Sequence, residues 1–169
     1  MTPQQANIFY WSTGQPFHLS VGAVVVDDAG QVLVHHYPAG TAAKTEAYLL
    51  MRESLEMGED PLTTVRRGLA EEFGLKADIA EFVGSIVCSF RHDNNVEVEK
   101  TTIYFLCINH HPLPSGRTGE DLETRSHLEW LSPRRLAQLS RAQAKAIGRS
   151  DFDESKIIER VAEITKNKA

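Results

Sequence analysis

The sequence predicts a mixed α/β fold in a single domain. Runs of β-branched and apolar residues, bounded by turn residues, recur through the first two-thirds of the chain. A stretch from Asp60 to Gly74 carries apolar residues at helical spacing between start and stop signals. Two further helical patterns follow near the C-terminal end. A chain of 169 residues is long enough for its own core. No repeat, low-complexity segment or linker divides it, so one domain over 1–169 is expected.

Taken in order, Phe17–His36 reads as a hairpin, with Asp28-Ala29-Gly30 as its turn. Pro38–Thr45 is a loop of small residues, and Ala47–Met51 a short apolar strand. Asp60 is a good N-cap and Pro61 suits the first helical position. Leu62, Val65, Leu69 and Phe73 then form one buried face, and Gly74 closes the helix. Phe82–Phe90 and Val98–Ile108 are strands joined by the polar Arg91–Asn95. His111–Arg125, rich in Pro, Gly, Ser and charge, is a long loop. Leu128–Leu131 is a short strand, and helices cover about 133–147 and 153–165. The stripe Ile157, Ile158, Val161, Ile164 docks the last helix on the core or on another subunit, so a homodimer is one expectation. This order of elements alone permits several folds.

Composition narrows the function. The apolar fraction is 41% and the charged fraction 24%, ordinary for a globular protein. A net charge of −5 without a basic run argues against nucleic acid as the partner. It does not oppose a phosphate-bearing small molecule, because a bound cation reverses the local field. No apolar run approaches the ~20 residues of a membrane span, and the first residues do not resemble a secretion signal. Cys88 and Cys107 have no metal-ligand spacing and read as free thiols, which points to the cytoplasm.

The chemistry concentrates in Glu56–Leu75, EMGEDPLTTVRRGLAEEFGL. At ~100° per residue, Glu71 falls well off the apolar arc and Glu72 just beyond its edge. Gly68 lies between them in angle, one turn earlier. An acid at 68 would complete a cluster at i, i+3 and i+4, which repels itself without a cation. Hard carboxylate oxygens at that density suit Mg²⁺ or Mn²⁺ bridging to phosphate oxygens. On its own the Glu71-Glu72 pair reads first as a solvated helix face, the usual meaning of such a pair.

Glu59, Arg67, Leu69, Glu71, Glu72, Gly74 and Leu75 fall in register on the pattern G-x5-E-x7-R-E-U-x-E-E-x-G-U, where U is aliphatic. The stretch therefore resembles the Nudix box of enzymes that hydrolyse a diphosphate linked to another group. The resemblance implies a mixed sheet sandwiched between helices, with the box over about 53–75. It implies that Glu71 and Glu72 bind the metal, that Arg67 orients an acidic side chain with Glu56 or Glu59 as partner, and that Glu56, Gly58 and Glu59 match the E-x-G-E inside the box. Arg52 stands where the family often has a basic residue and is a candidate phosphate contact; an exposed loop arginine is the alternative.

Two positions depart from the pattern. Glu53 stands in place of the first glycine, and Gly68 in place of the first acid of R-E-U-x-E-E. Gly68 removes one carboxylate and costs ~1 kcal/mol of helix propensity relative to alanine. Glu53 is the candidate to restore that carboxylate to the metal. Glu97 and Glu99, on one face of a strand, and Glu120 in the long loop are further candidates, as proton acceptor or as solvated acids. Glu129, before a tryptophan and a helix, matches a position that is more structural than catalytic. Arg91, His92 and Lys100 are candidate phosphate contacts. The pairs His35-His36 and His110-His111 lack zinc spacing, because adjacent strand residues face opposite ways. Phe9, Tyr10, Trp11 and Phe17 form an aromatic cluster suited to packing under the sheet, to a dimer contact or to stacking on a base.

Two functions stay open on these grounds. One is Mg²⁺-dependent hydrolysis of a nucleoside diphosphate derivative. The other is a Nudix-fold protein that has lost turnover and binds a nucleotide or regulates a partner. Motifs of the family's NADH-cleaving and isomerase branches are absent, so the substrate is not readable.

Overall fold

Pro16–Val25 (β2) is buried from Ser20 onward, as its nearly unbroken SVGAVV run demands of a strand covered on both faces. The structure, a computed structural model, describes residues 8–10, 14–41, 44–92, 95–119 and 125–167. In it β2 pairs in parallel with Glu97–Pro112 (β7) and antiparallel with Met51–Ser54 (β5) and Ile8–Tyr10 (β1). Leu75–Arg91 (β6) lies on the other edge of β7. A second, antiparallel sheet has Val32–Tyr37 (β3) between Ala47–Leu49 (β4) and His127–Leu131 (β8).

The expected hairpin is thus divided between two sheets. Its turn chemistry holds: the Asp27 carboxylate accepts from the Ala29 and Gln31 amides, and Gly30 has φ 73°. But both edges of β2 are occupied over residues 20–23, by β5 and β7. Only the bridge Val26–Val32 joins the two arms. The predicted Ala47–Met51 strand splits for the same reason. It breaks at Leu50, leaving β4 on β3 and β5 on β2. At the break the buried Leu50 amide donates to the Glu154 carboxylate, 2.8 Å away.

Strands β6 and β7 are longer than their sequence pattern. Register shifts at 76/78, 79/81 and 82/84 mark irregularities of the kind bulges make, and His111 and Pro112, expected in a loop, are paired.

The box helix, Pro61–Gly68 (α1), is capped as expected: Asp60 accepts from the Leu62 and Thr63 amides. Its continuation, Leu69–Phe73, is π-helical and ends at Gly74 in the left-handed region. Pro133–Ile147 (α2) matches its predicted span, and Ser155–Lys166 (α3) starts slightly later than expected.

Val65, Leu69 and Phe73 pack with Val21, Val25, Leu33 and Met51 in one core. Leu62, expected beside them, is exposed. A second core on the opposite face joins Val24, Leu50, Tyr104 and Leu106 to Leu136 of α2 and Ile157, Ile158 and Val161 of α3. The mixed sheet is therefore sandwiched between helices. Phe9 and Phe17 pack with ring centroids 5.5 Å apart; Trp11 and the Tyr10 side chain lie outside what is described. No helix among the described residues is long and apolar enough to cross a membrane.

Candidate active site

The π-helical turn changes the expected angles. A π-turn carries more residues per turn than an α-turn, so the 100° progression fails after Gly68. Glu72, placed by that progression just outside the apolar arc, is turned inward and is only 6% exposed. Glu71 stays at the surface, its side chain 40% exposed.

Arg67 is the hub of the acidic side chains. Its Nε and Nη2 donate to the two oxygens of Glu59, at 3.0 and 2.9 Å, and Nη2 also donates to the Ser54 carbonyl at 2.8 Å. Nη1 lies 3.2 Å from Glu53 and 3.6 Å from Glu71. Glu56, the other expected partner, is 4.0 Å away. Bidentate pairing of this kind is the stronger form of ion pair. The Arg67 bonds, with help from Thr64 and the Glu56 amide, hold the Glu59 carboxyl at about 2. They also push the guanidinium above its usual range.

The two departures from the box pattern meet in space. A Cβ at Gly68 would lie 2.8 Å from Cβ of Glu53 and 2.8 Å from Sδ of Met51. Positions 53 and 68 face each other across strand and helix, and only one of them has room for a side chain. Here the strand carries the carboxylate and the helix carries the glycine. Glu53 is half-buried; it accepts from its neighbour's amide at Ser54 and pairs with Arg67. Burial raises its carboxyl pKa, and Arg67 opposes that.

Glu72 meets a residue outside the box. Its carboxylate lies 2.8 Å from Nε2 of His35, whose Nδ1 is 2.6 Å from the Ser126 hydroxyl. Burial, with the charges of Arg117 and Arg52, pulls the imidazole down to about 3. At neutral pH His35 is therefore neutral and donates Nε2–H to Glu72. Sequence inspection finds only an adjacent histidine pair here. The alternation of β3 is the sole signal that His35 turns inward while His36 faces Glu46 and Glu129 at the surface.

A sheet between helices and a capped box helix are what a resemblance to the Nudix box implies. The NUDIX domain model matches residues 16–150. The chain belongs to the Nudix family. That is a family of hydrolases, and its fold recurs in solved structures. The E. coli ORF135 protein is 18% identical with a TM-score of 0.58, over 87% of this chain and 89% of its own. A MutT protein from Methanosarcina mazei is 16% identical with a TM-score of 0.57, over 90% and 97%. The MutT protein of Bacillus halodurans is 20% identical with a TM-score of 0.55, over 77% and 79%. At these identities the likeness is one of fold. No curated protein matches the chain in sequence.

Other candidates from the sequence are scattered around this Nudix centre. Strand alternation puts Arg52 and Lys100 on the face opposite Glu53, with Gly22, Thr102 and Tyr104. Arg52 lies 3.6 Å from the buried Glu154 and over the Phe152 ring, away from the box helix. Glu97, Glu99 and Arg91 share the face of Glu53. But Glu99 pairs with Phe17, while Glu53 pairs with Val21, four positions along β2. At ~3.3 Å per residue this separates them by about 13 Å along the strand direction alone. Glu97 accepts from Ser89, and Arg91 donates to Asn95. Glu120 lies outside the described residues, although Gly119 before it donates its amide to the Glu71 carbonyl at 3.0 Å.

Among the described residues no three acidic, His or Cys side chains are gathered closely enough to hold an ion alone. The donor set nevertheless fits Mg²⁺ or Mn²⁺ arriving with a phosphate. Such ions are commonly held by one or two carboxylates, with the remaining positions taken by substrate oxygens and water. Glu53 and Glu71, converging on one guanidinium nitrogen, are hard oxygen donors of that kind.

Proposed function

We propose that this protein hydrolyses a diphosphate linkage in a nucleoside diphosphate derivative, with Mg²⁺ or Mn²⁺ as cofactor. The observation that carries the reading is the exchange between positions 53 and 68. Strand β5 carries a carboxylate whose Cβ faces Gly68 and which pairs with the arginine that also reaches Glu71; on this reading it stands in for the acid missing from the helix.

Glu71, Glu72 and Glu53 would hold the metal, which when bound neutralises charge on the phosphate oxygens and orients them. Arg67 fixes Glu53 and Glu59 and screens their mutual repulsion. The attacking water needs a carboxylate to take its proton. The 13 Å separation favours Glu53 over Glu97 or Glu99 for that role. Arg91 remains a phosphate contact only for a substrate that extends along the sheet, and Arg52 and Lys100 serve the opposite face. A cytoplasmic protein, as a monomer or homodimer, suits this reading.

The inward turn of Glu72 favours a second reading, a binder without turnover. One experiment separates the two. The protein is incubated with Mg²⁺ or Mn²⁺ and a panel of dinucleoside polyphosphates, nucleotide sugars, ADP-ribose and nucleoside triphosphates. Turnover that falls at least a hundredfold in both Glu53→Gln and Glu72→Gln supports hydrolysis. Tight nucleotide binding with no product in the wild type refutes it in favour of the binder.

A further inference from the structure

Behind Glu72 stands a line of side chains reaching from β3 to the segment after β7. Arg117 Nη2 lies 3.0 Å from the Ser126 hydroxyl oxygen, and Nη1 donates to the Ser126 carbonyl at 2.9 Å. A guanidinium only donates, so the Ser126 oxygen accepts from Arg117. Its own O–H then points to Nδ1 of His35, 2.6 Å away. Nδ1 accepts, which leaves the proton of the imidazole on Nε2, aimed at Glu72. Donor direction is the same at every link. His35, Ser126 and Glu72 are all buried, and the imidazole packs between Phe73 and Tyr37, with ring centroids at 4.8 and 5.6 Å.

The segment that supplies Arg117 also grips the π-turn through its backbone. Leu113 donates to the Gly74 carbonyl at 2.8 Å, and Thr118 and Gly119 donate to that of Glu71 at 3.2 and 3.0 Å. A Cβ on Gly74 would come within 2.7 Å of Gly116, so the approach depends on glycine. One segment thus holds Glu71 by its carbonyl and stands behind Glu72 through Ser126 and His35. Packing alone does not call for this line: apolar side chains at all of its buried positions would fill the core without the cost of desolvating polar groups.

We propose that His35 is a positioning residue, backed by Ser126 and Arg117, which fixes the orientation of the Glu72 carboxylate and thereby sets the protein's affinity for a divalent metal. This rests on the functional reading above. Partners of this kind behind a metal ligand typically change affinity by about 10–100-fold when removed.

The test is Mn²⁺ binding by calorimetry on the full chain, alongside thermal melting without metal. His35→Leu is expected to weaken Mn²⁺ binding at least tenfold. His35→Gln, whose amide N–H reaches the place of Nε2–H, should stay within about threefold of wild type. In a Glu72→Gln background the effect of His35→Leu on binding should vanish. A purely structural role would lower the melting temperature in both backgrounds and leave wild-type affinity in His35→Leu; that result overturns the proposal. Should His35→Leu fail to fold, Ser126→Ala carries the test, with about three- to tenfold weaker binding expected and unchanged binding overturning it. If wild type binds no Mn²⁺, the functional reading falls, and the metal-setting role with it. The imidazole ¹⁵N spectrum then tells whether the line itself exists: an Nε2–H tautomer supports it, and an Nδ1–H tautomer shows that it does not.

Discussion

Restoring the family's acid at position 68 is the obvious repair of the box, and the structure predicts that it fails on its own. The perturbation is best read first with Gly68→Ala, which adds only the Cβ. That atom would sit 2.8 Å from both Glu53 Cβ and Met51 Sδ, against about 3.5–4.0 Å for carbon atoms in contact. Glu53 Cβ is fixed to a strand paired with β2, and Met51 is fully buried, so neither moves freely. Overpacking of this order costs about 1–3 kcal/mol, while replacing glycine in a helix returns about 1 kcal/mol. The net expectation is destabilisation by about 0–2 kcal/mol, a melting temperature lower by up to about 8 °C for a chain of this size. Gly68→Glu should be worse, because a third carboxylate enters beside Glu53 and Glu71. In the double variant Glu53→Gly with Gly68→Glu, the clash with position 53 is gone. It should therefore melt above the Gly68→Glu single variant, with a coupling of about 0.5–3 kcal/mol between the sites. The assay is urea or thermal unfolding of the four corners of the cycle, with Mg²⁺-dependent turnover measured on each. Additive effects at 53 and 68, or a Gly68→Ala protein more stable than wild type, would refute the reciprocal exchange.

Two further outcomes follow from buried charge. Glu154→Ala should cost about 3–5 kcal/mol in urea unfolding, because it strands the Leu50 amide, the Tyr104 hydroxyl and the Arg52 charge that now face that carboxylate; a loss below 1 kcal/mol would contradict its role. Acid should also loosen the fold before its carboxylates alone would do so. His35 is held at about 3 when folded and titrates near 6.5 when unfolded, so the unfolded chain takes up the proton first and stability falls as pH drops from 6.5 towards 3. Glu59, at about 2 against 4.5, acts with the same sign at lower pH, between 4.5 and 2. At pH 4.5 the histidine contribution amounts to about 3 kcal/mol. Melting curves between pH 7.5 and 4.5 should therefore shift by about 6–12 °C, less in His35→Gln, and an equal shift in that variant would count against the assignment.

What the sequence made legible was local. Asp60, Pro61 and Gly74 bound the box helix because caps act over a few residues, and α2 kept its predicted span between Ser132 and Gly148. A fixed pattern offered Glu56 or Glu59 as the partner of Arg67, and the bidentate pair is with Glu59. The failures came where a distant strand decided the outcome. Whether β2 and β3 stay paired depends on β7 occupying an edge, which no local pattern shows. The place of Arg52 depended on the parity of its pairing with β2. The π-turn moved Glu72 inward by altering a period that the sequence reading held constant, and His35, lying 37 positions away, could not be linked to it by spacing. That Glu53 answers Gly68 is an expectation the sequence already offers; the closeness of the two positions supplies what spacing could not.

The break at Leu50 bears on the order in which the protein is made. The strand that feeds the box is pinned at that point by Glu154, 104 positions further along the chain. A ribosome adding about 5–20 residues each second would expose the box segment some 5–20 s before its anchor emerges. Through that interval the Leu50 amide lacks the carboxylate that accepts from it at the break. Slower translation across β6 and β7 would lengthen this exposure, and a nascent chain halted before residue 154 should be open to protease near Leu50.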